Sequence, residues 1–278
     1  MGSFMKLFAF EINRFIKLYI ALLAVIFIIQ LGTVLFEASS YMTLVKEVTK
    51  GGRASPEQFL NEYWHFSLVD VIYTRGFLIP IALGAVSVII YLFFIWYRDW
   101  FARNTFIYRL LMLPVNRMTI YFAKLATIIV SVLGLISAQL VYLVIYKQIV
   151  KWIVPIVYRT DMKTSLLVAS SDHLSVLIPT HFSLFLIIYG LGTLFIIVLF
   201  TVILLERSFK LVGLLLGIIY TSFAIGLFIL PFVVQFIFFD TFYLYTDEMF
   251  YVQLVISFII GGVSLWISYI LINRKVTV

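Results

Sequence analysis

The stretch FLIPIALGAVSVIIYLFFIWY, residues 77–97, contains no Asp, Glu, Lys, Arg or His. Arg75 precedes it and Arg98-Asp99 follow it, so its charges sit only at the two ends. At about 1.5 Å per residue it makes a helix of roughly 30 Å, the thickness of a bilayer's hydrocarbon core. The same test applied outward predicts five more spans, near 18–36, 120–146, 182–205, 211–229 and 252–272. The third is longer than one crossing needs and is either tilted or extended past the membrane. The uncharged run from Leu211 to Phe239 is also too long for one crossing, and Pro231 lies where the excess begins. Because proline breaks or kinks helices, we expect a separate re-entrant segment there, within an outer stretch 230–251, rather than one long kinked helix.

Composition supports a membrane class. The chain is 64% hydrophobic and 12% charged, whereas a soluble domain is about half apolar and a quarter charged. A soluble fold of this length has too little interior to hide such a surplus, so lipid must cover it. The fold class expected is an all-α integral membrane protein, residues 1–278 forming a single transmembrane domain. Cysteine is absent, which excludes disulfides, thiolate metal sites and cysteine nucleophiles. The first apolar run is too long for the core of a cleavable signal peptide.

Orientation follows from the basic residues. With the N-terminus inside, the inner segments hold Lys6, Arg14, Lys17, Arg98, Arg103, Arg109, Arg117, Lys124, Arg207, Lys210, Arg274 and Lys275, twelve of the 20 Lys and Arg. The others fall in two long outer loops, where charge has little influence on topology. Glu11, Asp99 and Glu206 are the inner acids. Both termini are therefore expected in the cytoplasm and the chain in a plasma membrane, of a bacterial cell. The net charge of +7 reflects this bias and not nucleic-acid binding.

The spans read as nearly free of ionisable groups. Arg98, Asp99 and Lys124 fall at predicted ends, where long basic chains can snorkel. Gln30, Gln139 and Gln235 are the polar residues at depth. Ion-coupled carriers usually place charged groups in their pathways, so the chain reads as unable to power transport by itself. No HExxH, GxSxG or Walker A pattern occurs, so no catalysis and no bound cofactor are expected. His65, His173 and His181 lack metal-ligand spacing.

Residues 1–17 are amphipathic. Phe4, Met5, Phe8, Ile12, Phe15 and Ile16 share one side of a helical wheel, and Lys6, Asn13, Arg14 and Lys17 the other. This predicts an interfacial helix rather than an extension of the first span. The segment 98–118 between spans two and three predicts a short cytoplasmic helix ending at Pro114, with Phe106, Leu110 and Leu113 at helical spacing and Arg103 and Arg109 flanking them. Such a helix is a docking element, or packs on the protein's own spans, or is a solvated basic loop.

Within it, Leu110-Leu111-Met112-Leu113-Pro114-Val115-Asn116-Arg117, continuing to Tyr121 and Lys124, resembles the LL-x-LPV-(S/N)-R-x-x-I-Y-x-x-K stretch of type-2 ABC exporter permeases. The resemblance extends to the layout: an interfacial N-terminal helix, six spans, a re-entrant segment before the last span and cytoplasmic termini. It implies that the preceding helix is a coupling helix seated on a cytoplasmic ABC ATPase subunit, which would hold ATP and magnesium. Members of the family often carry an acidic residue and a Gly-Thr pair before the Leu-Leu, whereas this chain has Asp99 and Asn104-Thr105, without the glycine. The coupling residues implied are Asp99, Arg103, Asn104, Thr105, Phe106, Arg109, Leu110, Leu111, Pro114 and Arg117. The turn Glu206, Arg207, Lys210 is either a second, smaller ATPase contact or a charged turn between spans. Gly213 and Gly217 form a GxxxG pair that serves either a dimer interface with a second, identical or related, permease or packing within one chain. The function implied is the membrane-spanning subunit of an ATP-driven exporter of amphipathic or hydrophobic cargo, such as a peptide, drug or lipid. The alternatives are an ATP-independent channel or carrier and a membrane sensor or assembly subunit.

Overall fold

The computed structural model describes residues 2–50, 55–101, 112, 114–238 and 245–275. Regular structure among them is helical apart from one isolated bridge between Phe66 and Arg159. In hydrocarbon every backbone N–H and C=O needs an internal partner, which a helix supplies along its whole length. Hydroxyl side chains within the apolar helices follow the same rule. Thr33, Ser137, Thr193, Thr221 and Ser257 each donate to the carbonyl four residues earlier at 2.7–3.0 Å.

The helices are α1 (Gly2–Thr49), α2 (Pro56–Glu62), α3 (Leu68–Ile72), α4 (Arg75–Phe101), α5 (Arg117–Ile153), α6 (Thr164–Ser170), α7 (Asp172–Leu177), α8 (Phe182–Phe209), α9 (Leu211–Phe238) and α10 (Thr246–Ile270), which ends in a wider helical turn, Leu271–Lys275. Six of these, α1, α4, α5, α8, α9 and α10, are long and apolar enough to cross a membrane. That matches the six spans expected.

Two expectations about elements change. Residues 2–17 are not a separate element: α1 runs unbroken from Gly2 to Thr49. Neither glycine nor proline interrupts residues 3–31, so no local feature stops the helix where the wheel pattern gives way to the apolar run. The segment expected to separate at Pro231 is, up to Phe238, the end of α9, with Pro231 inside the helix. Proline is tolerated in membrane helices because neighbours and small local adjustments re-satisfy the freed backbone.

The chain divides into two compact units. The first comprises Met1–Glu11, Tyr91–Thr127 and Leu186–Val278, the second Ile12–Ile90 and Ile128–Phe185. In the second unit, α2, α3, α6 and α7 pack with the ends of α1 and α5 around Phe59, Ile72, Phe77, Leu143, Tyr146 and Leu174. Tyr41 donates to the carbonyls of Trp64 (2.9 Å) and Tyr158 (3.1 Å), tying α1 to both loops of that unit. Arg159 donates to the carbonyls of Val154 (2.5 Å) and Lys151 (3.3 Å), satisfying the end of α5. Gln30, polar at depth, is likewise paired: it donates to Phe77 O at 3.2 Å and accepts from Tyr146 Oη at 3.3 Å. Gly134 gives Tyr19 room, since a Cβ there would stand 2.4 Å from the Tyr19 hydroxyl, which donates to Ser131 O at 2.8 Å.

Candidate functional site

The centre of the first unit is the last turn of α4, Tyr97-Arg98-Asp99-Trp100. Consecutive residues of a helix point about 100° apart, so four in a row face all the way round the axis. Each of these four is held. Tyr97 donates its hydroxyl to the Glu206 carboxylate on α8. Arg98 Nη2 donates to Glu11 Oε2 on α1 at 2.7 Å. Asp99 pairs with the Lys124 ammonium on α5. Trp100 lies under the Arg207 guanidinium of α8 at 5.9 Å, and that group also covers the Tyr97 ring at 4.6 Å. Three other helices thus form a collar round the end of the second span.

The ionic part of the collar is interior. Asp99 and Lys124 are 0% exposed and Glu11 is 2% exposed. Lys124 Nζ has three donors and uses all of them, on Asp99, on Glu11 Oε1 at 2.8 Å and on Ile95 O at 2.9 Å. It also lies 5.2 Å from the centre of the Trp96 ring. Two cations, Arg98 and Lys124, balance two carboxylates, Glu11 and Asp99. Such a cluster is tolerable in a low dielectric only when complete, because an isolated buried ion carries its full desolvation penalty.

The reading of the spans as nearly charge-free therefore needs correction. Lys124 does not snorkel to an interface but turns inward, because two carboxylates await it there. The signal missed in the sequence is Glu11: the spacing 4, 8, 11, 15 places this acid among Phe4, Phe8 and Phe15, on the packed side of α1.

The start of α5 is fastened by the motif residues themselves. Asn116 Oδ1 accepts from Met118 N at 3.0 Å, an N-cap that serine would also supply. Arg117 Nη1 donates to Ile272 O at 2.9 Å, at the far end of the chain. Tyr121 is fully buried, with its ring 5.4 Å from that of Phe200, and Lys124 closes the ion cluster. Pro114 is exposed. Arg103, Asn104, Thr105, Phe106, Arg109, Leu110 and Leu111 lie outside the described residues. Asp99, grouped with them from the sequence, faces Lys124 in the interior instead of a surface that a partner could touch.

The expected second contact is placed differently residue by residue. Glu206 and Arg207 turn toward Tyr97 and Trp100, whereas Lys210 is exposed, alone between Phe209, which ends α8, and Leu211, which begins α9. Gly213 and Gly217 face α8 of the same chain: a Cβ on Gly213 would meet Leu205 O at 2.0 Å and one on Gly217 would meet Val202 Cγ1 at 2.8 Å. Both positions thus serve packing within the chain. Also on α8, Thr201 Oγ1 donates to Ser264 O at 3.2 Å and lies 3.0 Å from Ser268 Oγ, a buried hydroxyl cluster that joins α8 to α10.

Compared with known proteins, the chain matches no family model, no curated protein and no solved structure.

Proposed function

We propose that this chain is the membrane-spanning subunit of an ATP-driven exporter of the type-2 ABC class, in the plasma membrane with both termini cytoplasmic. Two permease subunits, identical or related, would pair with two ATPase subunits that hold ATP and magnesium. The part of the segment 98–118 that lies between α4 and α5 would be the element seated on the ATPase. The observation that carries this reading is the collar. The two helices flanking that segment, α4 and α5, are joined to each other through Asp99–Lys124 and to α1 through Glu11. A displacement delivered to the segment is thereby passed to span ends with little slack, as a coupling element requires. Within the resembling stretch, Asn116 to Lys124 supply the cap, the Arg117 tie, the buried Tyr121 and the Lys124 ammonium. Those are the fastenings such a transmission needs.

Energetically, an ATPase drives the cycle only by binding the two states of the permease differently. The cargo most compatible with aromatic, largely uncharged spans is amphipathic or hydrophobic: a peptide, a drug or a lipid. The decisive experiment is mild-detergent purification from native cells with mass spectrometry of companions. A co-purifying protein with a Walker A sequence supports the proposal, and a chain recovered alone under conditions that preserve known complexes rejects it. Given the partner, Leu110→Asp with Leu111→Asp should leave insertion intact while uncoupling ATP hydrolysis from export.

The buried cluster also favours a second reading, that of an ATP-independent carrier, since carriers use intramembrane carboxylates and lysines as coupling groups. Cargo movement by the reconstituted chain without any ATPase, abolished by Glu11→Gln, would select it.

A further inference from the structure

The corner between α8 and α9 is one residue long, and that residue, Lys210, has φ +56°. Glycine or asparagine is the ordinary occupant of a left-handed position at a helix end, because a Cβ is disfavoured there. A lysine at this place meets a conformational demand that it is poorly suited to. Its own helix end offers only a partial account. A cation does suit the C-terminus of α8, but Arg207 already stands in that last turn.

The surroundings supply another reason. The Lys275 ammonium lies 5.8 Å from the centre of the Phe209 ring, so the chain's last described turn adjoins the corner. Lys210, Arg274 and Lys275 are all exposed. Among the described residues no carboxylate pairs with any of the three. Directly after Lys210 come Leu211, 82% exposed, and Val212, 60% exposed. They begin an open apolar face that continues along α9 through Leu215, Ile219 and Phe223. A cationic rim thus stands at the end of an apolar face about 18 Å long, roughly the depth of one leaflet's hydrocarbon. The ligand complementary to both is an anionic phospholipid, with its phosphate among the three cations and its acyl chains along α9.

We propose that Lys210, Arg274 and Lys275 form a binding site for an anionic lipid headgroup, and that Lys210 occupies a glycine position for this reason. The inference concerns the lipid contact of the chain alone and stands apart from the exporter reading.

The test is native mass spectrometry of the purified chain in detergent, titrated with phosphatidylglycerol or with phosphatidylcholine. The wild type should bind phosphatidylglycerol more tightly. Lys210→Gly removes the charge while relieving the backbone, so its unfolding temperature in phosphatidylcholine should match or exceed that of the wild type. Its apparent affinity for phosphatidylglycerol should nonetheless fall about fivefold, the weight of one surface cation against an anionic membrane. Arg274→Gln with Lys275→Gln, which leaves the corner's backbone untouched, should remove most of the remaining preference, and Lys210→Arg should keep it. Equal binding of the two lipids by the wild type overturns the proposal. So does an undiminished preference for phosphatidylglycerol in both Lys210→Gly and the Arg274→Gln, Lys275→Gln variant.

Discussion

Lys124 shows how a single side chain can be misplaced by rules that are correct on average. A lysine near the end of an apolar run ordinarily reaches for water. Here three acceptors inside the fold outbid water, and the ammonium is fully enclosed. Replacing it with methionine keeps the bulk and leaves Glu11 and Asp99 with one cation between them. The expected loss is about 3–5 kcal/mol, typical of a broken buried pair, read as a lower unfolding temperature in detergent. Adding Glu11→Gln to Lys124→Met should recover part of that loss, because the two residues act through one network. An unfolding temperature unchanged by Lys124→Met would show that the cluster carries no stability. At this scale the sequence was legible only in part. Its inner acids could be enumerated, yet nothing in the spacing around Asp99 says which cation it faces, since that partner comes from another helix. Glu11 could have been found, because an acid among phenylalanines on one helical face needs a partner.

Elements were more legible in their existence than in their ends. Each apolar run became a helix, but α1 continues to Thr49 and α5 to Ile153, well beyond the residues that lipid requires. The stops are where backbone chemistry changes: Gly51-Gly52 follow α1, and Pro155 follows α5. Reading the glycine pair and the proline instead of hydrophobicity would have set both boundaries. Pro231 is the converse case, a proline that does not stop its helix. Two helix-level predictions follow from local geometry. Asn116→Ala should cost about 1 kcal/mol as a lost cap, and Asn116→Ser close to nothing. Equal unfolding temperatures for the two would remove the capping role. Gly134→Ala should cost about 1–3 kcal/mol by crowding the Tyr19 hydroxyl against α5, and Tyr19→Phe should relieve much of it. If the double variant is no better than Gly134→Ala alone, the clash lies elsewhere.

At the scale of the molecule, the six spans and their all-helical character were evident from composition and run length, while the packed second unit was not. Its core draws on Phe59, Ile72, Leu167 and Leu174, residues scattered through stretches that a hydropathy reading treats as outer loops. Their helices are five to seven residues long, too short for periodicity to stand out. One pH dependence belongs to this unit. The Arg159 guanidinium holds the Asp161 carboxyl below its ordinary value of 3.8. A carboxyl depressed by folding adds stability above that value, and the contribution disappears as pH falls below it. Resistance of the loop around Asp161 to an acid-active protease should therefore decline with acidity in the wild type. In Arg159→Gln that part of the decline should be absent; a parallel decline in both would assign it to other groups.

The four charges of the collar are also not made at the same time. Glu11 leaves the ribosome first, Arg98 follows 87 residues later and Lys124 113 residues later. At bacterial-to-eukaryotic elongation speeds that interval is roughly 5–25 s. Throughout it, the carboxylate must stay at a watery boundary or in the insertion machinery, because its set of cations is not yet complete. The first helix can settle into its final seat only once the third has arrived, so biogenesis has a built-in waiting step.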